Sequence, residues 1–303
     1  MGKQFINGKT MMRFILIAWL SFCSINNTYA TEGGGGAYGN GGDGFSAGML
    51  PPPGTYFLNY VAYYGARSFK DRNGNDTIPD FKIDAACDAL RLLHMTQYQL
   101  LKGTWGMQLI VPFVNIDLTM LGKSQSKSGL GDIVVDPFIW AFHSKNFHYG
   151  VAMDITVPTG SYDKNDMANI GRNNWIFEPI IGFTYLTDSG YEGSLKLMYD
   201  FNTKNTDTSY LSGQEFHIDY TVAKKINAFT FGMGGYYYKQ ITSDEFRGLS
   251  VGTDGNRGQL FGIGPQVKYD YQKVSFALKY QHENYAENKP EGNKIWFYLL
   301  CAF

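Results

Sequence analysis

Five histidines, His94, His143, His148, His217 and His282, are the side chains here best suited to moving protons near neutral pH. Hydrolysis would need one of them to face a serine, with a third group orienting the ring. His217 with Ser194 or Ser275 could supply that pair in a lipase-like barrel, but no nucleophile motif surrounds them. Asp71-Arg72-Asn73-Gly74-Asn75-Asp76 places oxygen ligands beside a glycine turn, like half of a calcium loop. It lacks the distal glutamate that would complete one, so an external turn is expected. Cys23 lies in the apparent targeting segment. Cys87 and Cys301 are far apart and are expected near opposite rims, so no disulfide is expected between them. Nothing has metal-ligand spacing. The glycine-rich stretch 33–48 is not a phosphate loop, because no strand, lysine or helix frames it. The expectation is a chain that is not an enzyme and needs no metal or cofactor.

More telling are charged and aromatic residues recurring at even spacing. Asp132, Asp136, Asp154, Glu178, Lys196, Asp200, Glu215, His217, Asp219, Lys268, Asp270, Lys279 and Glu283 fall on one phase of alternating segments. Phe138, Trp140, Tyr236, Tyr238, Trp296 and Tyr298 share that phase. In 147–158, Tyr149, Val151, Met153, Ile155 and Val157 oppose His148, Asp154 and Thr156. In 213–224, Phe216, Ile218, Tyr220 and Val222 oppose Glu215, His217, Asp219 and Thr221. A two-residue period is that of a β-strand with unlike faces. Segments 89–101 and 105–119 alternate poorly, and their faces stay unassigned.

The elements that position these residues are twelve such segments: 54–68, 89–101, 105–119, 130–143, 147–158, 174–187, 191–203, 213–224, 229–242, 258–271, 274–285 and 293–303. Most reach the length a tilted strand needs to cross an apolar layer. Tight turns at 102–104, 144–146, 188–190, 225–228 and 272–273 alternate with longer polar loops at 69–88, 120–129, 159–173, 204–212, 243–257 and 286–292. Short turns on one rim and long loops on the other form the pattern of bacterial outer-membrane barrels, with the short turns periplasmic. Composition agrees. The chain has 303 residues, a net charge of −1, 17% charged residues, 16% aromatic residues and 36 glycines, with a mean hydropathy of −0.24. Near-neutral charge excludes broad attraction to nucleic acid or an anionic membrane. The expected fold is an all-β, transmembrane, antiparallel up-and-down barrel of about twelve strands; a large soluble β-protein is the alternative composition allows. Charge costs several kcal/mol against lipid near the midplane, so the polar face is expected to line the lumen.

Before the barrel, Lys9 and Arg13 precede an apolar run at 14–20, and Thr28-Tyr29-Ala30 supplies small residues at a cleavage site. Residues 1–30 read as a signal peptide cut after Ala30, and Met11 or Met12 offers an alternative start. Bulky Phe22 argues against lipidation at Cys23. Residues 31–53, rich in glycine and proline, are expected to be a periplasmic leader or a partial plug, and 54–303 the barrel. The terminal Phe303 on an alternating strand resembles the signal read by the outer-membrane assembly machinery. Pro112, Pro137, Pro158, Pro179 and Pro265 lie inside expected strands, so each implies a bulge or break. A lateral opening to lipid at such a break would suit hydrophobic cargo.

Several segments also carry a family resemblance. They are Gly129-Leu130-Gly131-Asp132-Ile133-Val134-Val135-Asp136-Pro137-Phe138, Val157-Pro158-Thr159-Gly160-Ser161-Tyr162 and Asn174-Trp175-Ile176-Phe177-Glu178-Pro179, then Thr208-Ser209-Tyr210-Leu211-Ser212-Gly213-Gln214-Glu215, Gly255-Asn256-Arg257-Gly258 and Ile263-Gly264-Pro265. In this order and spacing they resemble the phenol meta-degradation family of outer-membrane proteins, over about 54–303. The resemblance implies a barrel that passes hydrophobic or aromatic compounds, and it supplies no catalytic residues. The reading is a passive channel in the outer membrane, in contact with its lipid. Asp136, Asp154, Glu178, Asp200 and Asp219 are expected to line the path, with Lys196 and Lys279, and Trp140 and Trp296 to contact rings. A barrel enzyme and a closed surface-binding barrel are the alternatives.

Overall fold

The structure is a computed structural model and describes Glu32, Gly35, Gly36 and residues 39–303. The expected signal peptide at 1–30 lies outside the described residues. The strands are β1 (Gly54–Phe69), β2 (Lys82–Leu100), β3 (Gly103–Met120), β4 (Lys123–Leu130), β5 (Ile133–His143), β6 (Phe147–Val157), β7 (Ile176–Leu186) and β8 (Tyr191–Asn202). They continue with β9 (Tyr210–Leu211), β10 (Glu215–Ile226), β11 (Phe229–Gln240), β12 (Glu245–Phe246), β13 (Leu249–Ser250), β14 (Gln259–Tyr271), β15 (Val274–Glu287) and β16 (Pro290–Ala302). Each long strand pairs antiparallel with its neighbours, and β1 pairs β16, so the sheet closes on itself. β4 and β5 both pair with β3 and form one stave interrupted at Gly131-Asp132, which makes twelve staves. β9, β12 and β13 form a small separate sheet in the loops.

Tight turns define one rim. Leu101 and Lys102 both have positive φ (53° and 70°), as a two-residue hairpin turn requires. Asn227 and Gln272 take the same conformation in the β10–β11 and β14–β15 turns. Both barrel ends, Gly54 and Ala302, lie at this rim. Paired residues share a face, so the register assigns faces directly. Val61, Phe297 and Leu278 lie in one outward row and are exposed. Aromatics ring the outer wall: Phe142 stacks on Tyr149 at 4.6 Å and Phe229 meets Tyr269 at 4.7 Å near the tight turns. Tyr199 and Phe201 meet at 4.8 Å toward the other rim. From Tyr191 to Phe201 on β8, a rise of about 3.3 Å per residue and a tilt of about 40° separate the two belts by about 25 Å, the height of an apolar membrane band. The outer wall carries polar spots as well: Asn59 donates to exposed Asp88 across β1 and β2, and Asn293 accepts from Tyr280 at 2.5 Å.

Three expectations need correction. Residues 120–129 are not a loop: Leu121 and Gly122 turn tightly and β4 runs back along β3. β2 begins at Lys82, and 286–292 is a two-residue turn at Asn288-Lys289 between β15 and β16. β4 is exposed along most of its length, so no alternation marks it, while the ends of β2, β15 and β16 pack inward among polar and small residues that carry no apolar pattern. The prolines do not each break a strand. Pro179 and Pro265 interrupt the pairing with one neighbour, at 178–179 against β8 and 264–265 against β15, but the register is the same on either side, and Pro158 follows β6. Pro137 lies in a true bulge, and Pro112 faces the Gly131-Asp132 interruption and accepts from the Gly131 N–H at 2.8 Å.

Candidate functional site

The inner face is built by strand alternation. Asp154 stands opposite Glu178, Glu215 opposite Asp200, and Asp219 opposite Lys196. Lys279 stands opposite Trp296 and Gln266. All are buried, as is Asp136. Eight of the nine expected lumen residues therefore point inward: Asp136, Asp154, Glu178, Asp200, Asp219, Lys196, Lys279 and Trp296. Trp140 does not. Six residues of β5 from Val135 to Trp140 oppose five of β6 from Ile155 to Val151, so one extra residue shifts the phase. Asp136 and Ile139 both point in, and Trp140 turns outward to stack on exposed Phe138 at 6.0 Å. The Asp136 carboxylate closes the bulge by accepting from the N–H groups of Phe138 (2.7 Å) and Met153 (3.1 Å).

A strap, residues 39–50, runs through the lumen ahead of β1. Its Asp43 accepts from Lys196 at 2.8 Å and from Tyr60 at 3.2 Å, with Arg91 at 3.7 Å. Burial would raise the Asp43 carboxyl, but the Lys196 and Arg91 charges outweigh it and hold the group well below its usual value. Lys279 donates to the carbonyls of Gly41 (2.6 Å), Gly42 and Asp43 (3.3 Å). Gly41 N donates to Asp219 at 2.9 Å, and Gly48 N to Thr184 at 2.9 Å. Gly41 has φ +78°, a conformation that suits glycine. On the wall, a Cβ at Gly182 would lie 2.6 Å from the Ala47 carbonyl, so the strap presses directly on β7. Phe45 packs with Ala223, Ala277 and Tyr298, and Leu50 joins a core of Tyr56, Leu58, Leu93, Met95, Ile139 and Ala141 near the tight-turn rim.

Above the strap lies a cavity of about 530 Å³. Phe69, Phe81, Ile83, Ile116, Leu118 and Met120 form an apolar wall, with Met167 and Ala168 from the β6–β7 loop. Tyr64, Tyr238, Glu283, Lys289 and Lys294 face them, and Gly39 and Asn40 of the strap also line it. Tyr64 donates to Glu283 at 2.8 Å, and Lys289 lies over the Tyr238 ring at 4.4 Å. A smaller cavity of about 250 Å³ shares Tyr64, Ile116, Arg172 and Lys294 and reaches Pro112 and Gly131 at the interrupted stave.

Sequence reasoning missed Arg91, because β2 alternates poorly. A lone arginine among Leu90, Leu92 and Leu93 was still a signal, since a charge facing lipid is costly. Ser194 bonds Glu192 and Thr184, and Ser275 bonds Asp270, while His217 bonds Asn40 and Asp200. The hydrolytic pairs considered above are thus not assembled. The Asp71 turn closes on itself, its carboxylate accepting from the N–H groups of Asn73 and Asn75. Cys87 and Cys301 are free thiols.

A family model described as "Putative MetA-pathway of phenol degradation" matches residues 66–299. A comparison with curated proteins finds no match. Among solved structures, an outer membrane channel from Pseudomonas putida F1 is similar with a TM-score of 0.77 at 18% identity, covering 86% of this chain and 99% of that chain. The β domain of the Bordetella autotransporter BrkA is similar with a TM-score of 0.50 at 8% identity, covering 83% of this chain and 100% of that chain. At these identities the likeness is one of fold, that of an outer-membrane β-barrel.

Proposed function

The chain belongs to the family described as "Putative MetA-pathway of phenol degradation", and from that premise we propose that it is a passive outer-membrane channel for small hydrophobic or aromatic compounds. The observation that carries this reading is the cavity of about 530 Å³ with one apolar and one polar wall. Its volume suits a small organic ligand. A flat ring rests on Phe81, Ile116 and Leu118 while a hydroxyl meets Tyr64 or the lysines opposite. Asp136, Asp154, Glu178, Asp200, Asp219, Lys196, Lys279 and Trp296 line the path deeper in the lumen, where the strap acts as a partial plug. The smaller cavity at Pro112 and Gly131 supports a side exit toward lipid at the interrupted stave. Export follows cleavage near Ala30, and Phe303 engages the assembly machinery. The channel uses no energy source and no cofactor.

Uptake of labelled phenol and toluene into proteoliposomes tests the reading. Entry faster than into protein-free vesicles, slowed by F81D, is the expected result. Rates equal to those of empty vesicles would overturn it. A second reading, a closed barrel that acts through its loops, is favoured by the bonds that hold the strap inside the lumen. Planar-bilayer recordings without any conductance, together with failed uptake, would select it.

A further inference from the structure

His217 stands between two carboxylates in the lumen. Its Nε2 lies 3.1 Å from Asp200 Oδ2 and 3.5 Å from Glu215 Oε2. All three side chains are essentially inaccessible to solvent, at 0%, 0% and 2% exposure. The ligand atoms all lie within 4.8 Å of one another. The strap supplies the other side of the ring: Asn40 Oδ1 sits 2.6 Å from Nδ1. With Nδ1–H donating to Asn40, Nε2 faces two carboxylate oxygens, an arrangement that calls for a positive charge there, either a proton on Nε2 or a metal ion in its place.

A second observation points the same way. Asp200 Oδ1 and Glu178 Oε1 are buried and meet no donor among the described residues, and the two carboxyls instead contact one another. The register places Glu178 across from Asp200 on the neighbouring strand, and Asp154 beyond it. Four carboxylates thus lie side by side at one level on β6, β7, β8 and β10, a pattern that repels itself unless protons or positive charges offset it; Lys196, Arg91 and Arg172 do so in part, and a bound cation would do so directly. Lys196, on the same strand as Asp200, bonds Asp43 of the strap.

We propose that Asp200, Glu215 and His217 form a binding site for a divalent metal ion of the zinc type, with Asn40 orienting the imidazole. Distances of 3.1 and 3.5 Å bracket the edge of about 3.3 Å expected for tetrahedral ligands at bonds of about 2.0 Å. One imidazole and two carboxylates suit zinc better than calcium or magnesium, which take oxygen ligands. Two carboxylates and a neutral imidazole balance the ion's charge, so the buried complex is neutral. Because Asn40 belongs to the strap, the ion fastens the strap in the lumen, and zinc lowers conductance. The inference stands apart from the cargo, since a barrel with no aromatic uptake could still hold the ion.

The test is zinc titration calorimetry on the detergent-purified full chain. The rim pair His143 and His148, whose Nδ1 atoms lie 3.0 Å apart, is first removed as H143A/H148A. One zinc per chain is expected on this background. H217Q and E215Q should each weaken it by about hundredfold or more, and N40A by about tenfold. In planar bilayers zinc should reduce conductance of the background protein and not of E215Q. An absence of zinc binding, or binding that H217Q and E215Q leave unchanged, would show that the cluster is only an imidazolium ion pair. Should either variant fail to fold, cobalt(II) added to the background protein decides. A four-coordinate visible spectrum supports the site, and the spectrum of the hydrated ion alone overturns it.

Discussion

The arc from β1 to β5 and the arc from β6 to β15 share one hydrogen-bonded ladder but present different inner faces. On the first arc the inward residues are Tyr56, Leu58, Leu93, Met95, Ile139, Ala141 and Leu118, packed on the strap's Leu50 or lining the larger cavity. On the second many are charged or polar, among them Asp154, Glu178, Lys196, Asp200, Glu215, Asp219, Lys279 and Gln281, and Lys196, Asp219, Lys279 and Gln281 bond the strap. The lumen is therefore mainly apolar on one side, where Arg91 and Asp136 are the charged exceptions, and mainly charged on the other. A solute with a ring and a polar group has a matching wall for each end. Alternation shows in sequence only on the charged side, because on the other both faces of the strand meet apolar matter, lipid outside and core inside.

The sharpest way to break the contrast is to remove what lies between the two arcs. Deleting residues 39–50 should raise single-channel conductance severalfold in planar bilayers, and unchanged conductance would mean that the strap does not limit flow. On the charged arc, K196M takes from half-buried Asp43 its closest cation, leaving Arg91 at 3.7 Å, and should cost about 2–4 kcal/mol in urea unfolding monitored by tryptophan fluorescence. On the apolar arc, I139A should cost about 2–4 kcal/mol in the same assay through the cavity it leaves. If the two arcs responded alike to polar and apolar substitutions, the distinction between them would fail. The smallest effect is in the outer loops. Asp244 accepts from Tyr210, Gly213 N and Gln240, yet burial pushes its carboxyl up from 3.8 to about 6. A raised acid stabilises in its protonated form, so its contribution is full below about 4 and is lost as pH rises through about 6. Amide protection factors around 210–213 and 244–256, taken relative to the intrinsic exchange rate at each pH, should be higher at pH 4.5 than at pH 7.5, and D244N should remove most of that difference.

What could be read in the sequence follows the same physics. The twelve staves were legible from lipid's demand for an apolar outer face and from turns such as Gln272-Lys273. Asp154, Asp200 and Asp219 were placed by strict alternation on β6, β8 and β10. Trp140 was misplaced because a bulge at Asp136-Pro137 adds one residue that no composition rule counts. The 120–129 hairpin was hidden because Lys123, Gln125 and Lys127 alternate with serines, so neither face is marked. The strap was the least legible part. Gly41 and Gly42 bind Lys279 through carbonyls, and a backbone group carries no sequence signal.

The strap joins β1 at the mouth where the first and last strands also meet. A thread anchored there can be drawn out through that mouth without crossing the wall or opening any rung of the ladder. What resists its withdrawal is a set of side-chain clasps, chiefly those of Lys196, Lys279, Asp219 and Thr184. Withdrawal of the strap would thus leave every stave intact, so a rigid barrel and a movable occupant are compatible in one chain.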